Sequence, residues 1–261
     1  MFAEVTSANV VGYMNVTRPQ VNFCSGSMFS NIGSEGISLA DLKITGTMTA
    51  AQKAQWRNCN ITFFQAGNTA KFDANRKFWM DWNGKWRKFT KGVTDPDQDP
   101  FMTEDEIAAE VINPGEGFVC AFANASAKII YSGEVITGGN NKTITIARPQ
   151  VNFIVTNPAG RTITLADIKI SGTMTAAQKA QWRNCNITFF QTGNTAKFDA
   201  DRKFWMDWNG KWRKFTKGVT NPDQDPFMTE DEIAAVQIPA GEGFACAFAN
   251  ASATITLPTA L

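Results

Sequence analysis

The residues able to do chemistry sit in two short stretches, each of which occurs twice. One runs Asp95-Pro-Asp97-Gln-Asp99-Pro-Phe101-Met-Thr103-Glu-Asp-Glu106 and returns as Asn221 to Glu232. Calcium takes six to eight oxygen ligands, and a twelve-residue loop supplies them from positions 1, 3, 5, 7, 9 and 12. Asp95, Asp97, Asp99, the Phe101 carbonyl, Thr103 and Glu106 fall on that spacing, as do Asn221, Asp223, Asp225, Phe227, Thr229 and Glu232. One position departs from the pattern. The sixth residue, where glycine normally provides a sharp turn, is Pro100 or Pro226, and proline cannot take a positive φ. The competing reading is a proline-pinned acidic turn leading into a helix. There Thr103 and Glu106 form a capping box, each side chain satisfying a backbone N–H at the helix start.

The second stretch is Phe78-Trp79-Met80-Asp81-Trp82-Asn83-Gly84-Lys85-Trp86-Arg87-Lys88-Phe89, repeated as Phe204 to Phe215. Asn-Gly between apolar runs is the strongest short hairpin signal, because both turn residues tolerate φ > 0. A two-residue turn pairs Trp82 with Lys85. It puts Phe78, Met80, Arg87 and Phe89 on one face and Trp79, Asp81, Trp86 and Lys88 on the other. If the second face is exposed, Trp79, Trp86, Trp205 and Trp212 make platforms for sugar rings, with neighbouring polar groups for hydroxyls. The alternative is that these tryptophans are core residues.

Of five cysteines, Cys59 and Cys120 recur as Cys185 and Cys246, whereas Cys24 matches Ile154. One disulfide per copy is the simplest reading and implies an oxidising compartment. Five buried thiols acting as small hydrophobes are the alternative. The chain has no histidine, which removes histidine-dependent hydrolase chemistry. The acidic residues cluster in turns rather than as two acids facing across a cleft, so a glycosidase pair is not expected. With 25 basic and 24 acidic residues the formal charge is +1. Basic residues do interleave with the aromatics, but that balance gives no pull toward nucleic acid. No apolar run is long enough to span a bilayer. Asn60 and Asn124 begin glycosylation triplets, which matter only in a host that uses them.

The elements that must hold these stretches are strands. Leu42 to Ile129 is repeated with few changes as Ile168 to Ile255, and Arg18 to Phe23 as Arg148 to Phe153. Between those anchors the first copy has a longer loop, Ser25 to Gly36. The expected division is 1–134 and 135–261, two copies joined end to end through Thr137-Gly-Gly-Asn-Asn141. Val10–Val16, Lys142–Ala147, Asn60–Phe64 and Phe118–Phe122 read as strands, and Thr49–Arg57 and Glu104–Ala109 as short helices. Short strands separated by turn residues predict an all-β fold, with each copy a sandwich or small barrel.

Ser7-Ala-Asn-Val-Val-Gly-Tyr13, Leu39-Ala-Asp-Leu-Lys43, Pro114-Gly-Glu-Gly-Phe118 and Ile130-Tyr-Ser-Gly-Glu-Val135, with the aromatic hairpin and Asp-rich loop, resemble uncharacterised tandem β-rich modules secreted by bacteria of the Lentisphaerae and Planctomycetes kind. The resemblance implies secretion and a β-rich fold and brings no activity. The N-terminus has no leader pattern, so an extracellular or surface location presumes that a signal peptide has been removed. The expected function is therefore non-enzymatic: a structural or adhesive repeat protein, calcium-stabilised, forming a surface layer or fibre by head-to-tail contact of the chain ends. Carbohydrate binding by the hairpin tryptophans is the alternative.

Overall fold

The computed structural model describes residues 11–16, 22–26, 29–30, 36–65, 72–113, 115–122, 127–135, 143–147, 153–159, 161–191, 198–248 and 253–258. The fold is all-β with a few one-turn helices. The largest sheet holds ten strands: β1 (Asn22–Gly26), β2 (Cys59–Phe64), β3 (Phe72–Met80), β4 (Trp86–Lys88), β5 (Glu116–Phe122), β6 (Phe153–Thr156), β7 (Cys185–Phe190), β8 (Phe198–Met206), β9 (Trp212–Lys214) and β10 (Glu242–Phe248). Its order is β9-β8-β7-β10-β6-β5-β2-β3-β4, with β1 paired to both β5 and β10.

Side chains alternate along a strand, so β2 and β5 each offer two faces. Ile61, Phe63, Phe118, Cys120 and Phe122 enter one buried cluster with Phe78, Met80, Ile129 and Tyr131. The corresponding residues of the second copy form their own cluster. The opposite face of β2 and β5 carries Asn60, Thr62, Val119 and Ala121, which stand across from one another in register. Smaller sheets close over the apolar face. In one, Val11–Val16 and Leu42–Thr45 flank Lys128–Val135. In the other, Thr143–Ala147 and Lys169–Ser171 flank Thr254–Pro258.

Sequence expectations of strand and helix largely hold. The helix α1 spans Lys53–Arg57, shorter than expected, and recurs as α3 (Lys179–Arg183). The helix α2 spans Glu104–Ala109, with α4 (Glu230–Ala235) its counterpart, and both start on the expected capping box.

The joint is richer than an end-to-end link. The strand Lys128–Val135 runs to the expected boundary and ends opposite Phe29 of the first copy. The two copies also exchange ladder partners. Gly117 and Glu116 pair with Ile154 and Val155, and reciprocally Gly243 and Glu242 pair with Cys24 and Ser25. A third, small cluster of Val119, Ile154, Phe190 and Ala245, with Phe64 against it, draws on both copies. Residues 137–141, 1–10 and 259–261 lie outside the described residues, whereas the tail strand Thr254–Pro258 is already paired on both sides, with Thr143–Ala147 and Lys169–Ser171.

The hairpin register differs from expectation. Met80 pairs with Trp86, Trp79 with Arg87 and Phe78 with Lys88. Asp81 N donates to the Lys85 carbonyl at 2.9 Å and Gly84 N to the Asp81 carbonyl at 2.9 Å, so the loop has three residues and Gly84 takes φ 74°. Asp81 Oδ1 holds this shape by accepting from Asn83 N and Lys85 N. A one-residue slip exchanges faces. Trp86 therefore joins Phe78 and Met80, while Trp79 shares a face with Arg87 and Phe89.

Candidate functional site

The register of β2, β3 and β4 lines up Asn60, Trp79 and Arg87. Over this row fold α1 and the acidic loop, and three buried charges meet there. Asp99, 1% exposed, accepts from Arg57 Nε at 2.5 Å, Trp79 Nε1 at 2.8 Å and Thr90 N at 2.8 Å. Arg57 Nη2 continues to the Thr90 carbonyl at 2.8 Å. Burial opposes ionisation of Asp99, but the hydrogen bonds from Arg57, Thr90 and Trp79 outweigh it and hold the carboxyl below its ordinary range. Asp225 repeats this with Arg183, Thr216 and Trp205.

The acidic loop is wrapped around a cation, and the cation is a guanidinium. Arg87 Nη1 donates to the Asp99 carbonyl at 2.7 Å and the Asp97 carbonyl at 3.3 Å, and its guanidinium carbon lies 3.6 Å from the centre of the Phe101 ring. The other expected calcium ligands are engaged separately. Asp95 caps a short 3-10 turn by accepting from Asp97 N, and Asp97 pairs with Lys53. Glu106 and Thr103 complete the capping box, and Lys88 bonds Glu106 at 2.6 Å. In the second copy Asn221 caps Asp223 N, Asp223 pairs with Lys179, Asp225 with Arg183, and Glu232 with Thr229 and Lys214. Arg213 lies over Phe227 and reaches the Asp223 and Asp225 carbonyls. Among the described residues no three acidic or cysteine side chains gather as a metal site.

The loop also finishes the sheet. Lys88 N donates to the Pro100 carbonyl and Met102 N to the Trp86 carbonyl, both at 3.0 Å, so Pro100–Met102 pairs along the outer side of β4. The same bonds cover β9 in the second copy. An open strand edge is a template for unwanted pairing, and this short segment closes both ends.

Two expectations are corrected by burial and register. Trp79 and Trp205 are 0% exposed and Trp86 and Trp212 4%, with indole N–H groups spent on Asp99, Asp225 and the Leu39 and Leu165 carbonyls. They are core residues, with no face left for a sugar. Cys59, Cys120, Cys185 and Cys246 are buried thiols, not disulfides. Cys59 stands opposite Phe122 and Cys120 opposite Ile61. The two sulfurs are thus on diagonal positions, where Cα atoms lie about 7–8 Å apart, beyond the usual reach of a disulfide.

What sequence reasoning missed is a concavity in each copy beside the buried charges. The first, about 330 Å³, is lined by Asn60, Thr62, Phe72, Lys77, Phe89 and Lys91 among others. The second, about 300 Å³, is lined by Asn186, Thr188, Phe198, Lys203, Phe215 and Lys217. Lys77 Nζ lies 3.7 Å and the Arg57 guanidinium 3.8 Å from the centre of the Phe89 ring. Burial lowers the Lys77 pKa from 10.5, the Arg57 charge lowers it further, and Asp99 partly restores it. Burial and Arg183 lower Lys203 likewise. Only the pairing of Thr62 with Lys77 brings that lysine over the sheet, a signal absent from Arg76-Lys77 read in line.

No family model, curated protein or solved structure matches this chain.

Proposed function

We propose that the chain is a non-enzymatic structural or adhesive repeat protein, its two copies forming a stiff β-unit for a surface layer or fibre. The observation that carries this reading is how the charged residues are used. Asp81, Arg57, Arg87, Asp99 and Glu106 are bound into ion pairs, turns and caps that hold the framework, and Asp207, Arg183, Arg213, Asp225 and Glu232 repeat the pattern. Groups fixed in this way by several partners each serve rigidity, and the reciprocal ladders between copies extend that rigidity across the joint.

Self-association in this reading does not use the outer edges of β4 and β9, which the acidic loops already occupy. Light scattering and negative-stain micrographs over rising concentration provide the test. Ordered multimers are expected. Dispersed single chains at the highest attainable concentration would defeat the building-block reading.

A further inference from the structure

We infer that each concavity is a binding site for a small anion that also carries a hydroxyl or N–H donor. The anionic group goes to Lys77 or Lys203, and the donor goes to the side-chain oxygen of Asn60 or Asn186. This goes beyond the structural role proposed above and does not depend on it.

Three observations converge. First, the lysines in the concavities hold no ion pair among the described residues: the ammonium of Lys77 contacts the Phe89 ring and that of Lys203 the Phe215 ring. Among the described residues the only carboxylate lining each concavity is Asp73 or Asp199, engaged by the N–H of residue 75 or 201. Two lysines against one carboxylate leave each concavity positive. A half-buried ammonium without an anion is poorly solvated, so an incoming anion meets a cation whose desolvation has already occurred.

Second, Asn186 is 4% exposed, and its Oδ1 is buried without a hydrogen-bond partner. Its Nδ2 is spent on the Arg183 carbonyl at 3.1 Å. An orphaned buried acceptor calls for a donor, and Asn186 is among the residues lining the same concavity as Lys203. In the first copy Asn60 Oδ1 has only a 3.4 Å contact from Thr62 Oγ1. Third, the arrangement is repeated down to the flanking rings, with Phe72 49% and Phe198 45% exposed at the mouths. At about 300 Å³ each space is at the small end of ligand pockets, which fits one compact acid.

The test is calorimetric titration of the whole chain with D-glucuronate, acetate, D-glucose, inorganic phosphate and potassium chloride. The proposal expects saturable binding of glucuronate or phosphate, with acetate and glucose weaker because each lacks one of the two groups. A glucuronate preference marks a carboxylate site and a phosphate preference a phosphate site. The Lys77→Met/Lys203→Met variant is expected to bind at least tenfold more weakly, about 1.4 kcal/mol. Should that variant not fold, Asn186→Asp is the second arm: a carboxylate at the buried acceptor repels the anion and is expected to halve the stoichiometry. Affinity also falls as pH rises through the lowered lysine pKa. Heats indistinguishable from potassium chloride, or glucuronate and phosphate binding untouched in whichever variant folds, overturn the proposal.

Discussion

Replacing Asp99 with alanine removes one acceptor from three donors. The Arg57 side chain is 11% exposed and Asp99 0%, so solvent cannot stand in for the lost carboxylate. Breaking a buried ion pair from one side costs about 3–5 kcal/mol, because the remaining charge is stranded. The Trp79 indole N–H, on a residue 0% exposed, is also left without its acceptor. A buried donor without a partner costs about 1–3 kcal/mol. These terms share atoms and do not add, so the expectation is about 3–5 kcal/mol toward its upper end. That is a large part of the 5–15 kcal/mol typical of a domain. With m of about 1–3 kcal/mol/M, the urea midpoint falls by at least about 1 M. Equilibrium unfolding followed by tryptophan fluorescence reads it, with Asp225→Ala as the equivalent change in the second copy. A cycle with Arg57→Met isolates the pair, since removing both charges strands neither. A cost for Asp99→Ala below about 1 kcal/mol, or a coupling to Arg57 below about 0.5 kcal/mol, would refute the reasoning.

Four further outcomes are expected. Calcium leaves the thermal midpoint where an equal ionic strength of sodium chloride leaves it; a ligand at 100 times its Kd would add about 2.7 kcal/mol, so a calcium-specific rise would show a metal in the acidic loops. Asp99 and Asp225 have folded pKa values below 3.8, so the stability they provide is present above that value and is lost as pH falls through the folded pKa; urea midpoints should drop below about pH 4, and the slope should weaken in Asp99→Asn/Asp225→Asn. Gly84→Ala costs about 1–2 kcal/mol through the backbone alone, since φ is 74° and a Cβ would meet nothing within 4 Å, and the urea midpoint measures it. Thiol titration without reductant should find Cys59, Cys120, Cys185 and Cys246 unreactive in the native chain and reactive once it is unfolded; thiols missing after unfolding would restore the disulfides.

The sequence made local structure legible wherever a short-range rule governs it. The capping box at Thr103 and Glu106 was readable because both of its bonds close within three residues. The turn at Asn83-Gly84 was readable in place but not in register. The extra loop residue is set by the Asp81 carboxylate, and a strand period of two turns that single residue into an exchange of faces. The acidic loop was legible in its spacing but not in the partners of its carboxylates. Its spacing suits calcium, yet the cations that fill it arrive from elsewhere: Arg57 pairs with Asp99 across 42 positions, and Arg87 lies beyond a turn. The eight tryptophans gave no sign of which were buried. The lysine concavities depend wholly on strand pairing, which composition does not disclose.

The few differences between copies are informative where the copies meet. In the first, Cys24 stands opposite Val119; in the second, Ile154 stands opposite Ala245. By residue type the two pairs have nearly the same combined size, and volume-conserving changes are the best tolerated. The small shared cluster brings Val119 and Phe64 of the first copy against Ile154, Phe190 and Ala245 of the second. Two identical copies would present the same surface to each other and to any other copy. An asymmetric junction gives each half a partner of different shape, and such differences discriminate the intended contact from look-alikes. The duplicated framework and the diverged junction therefore have separate physical roles: the first fixes the shape of each half, and the second fixes which half it joins.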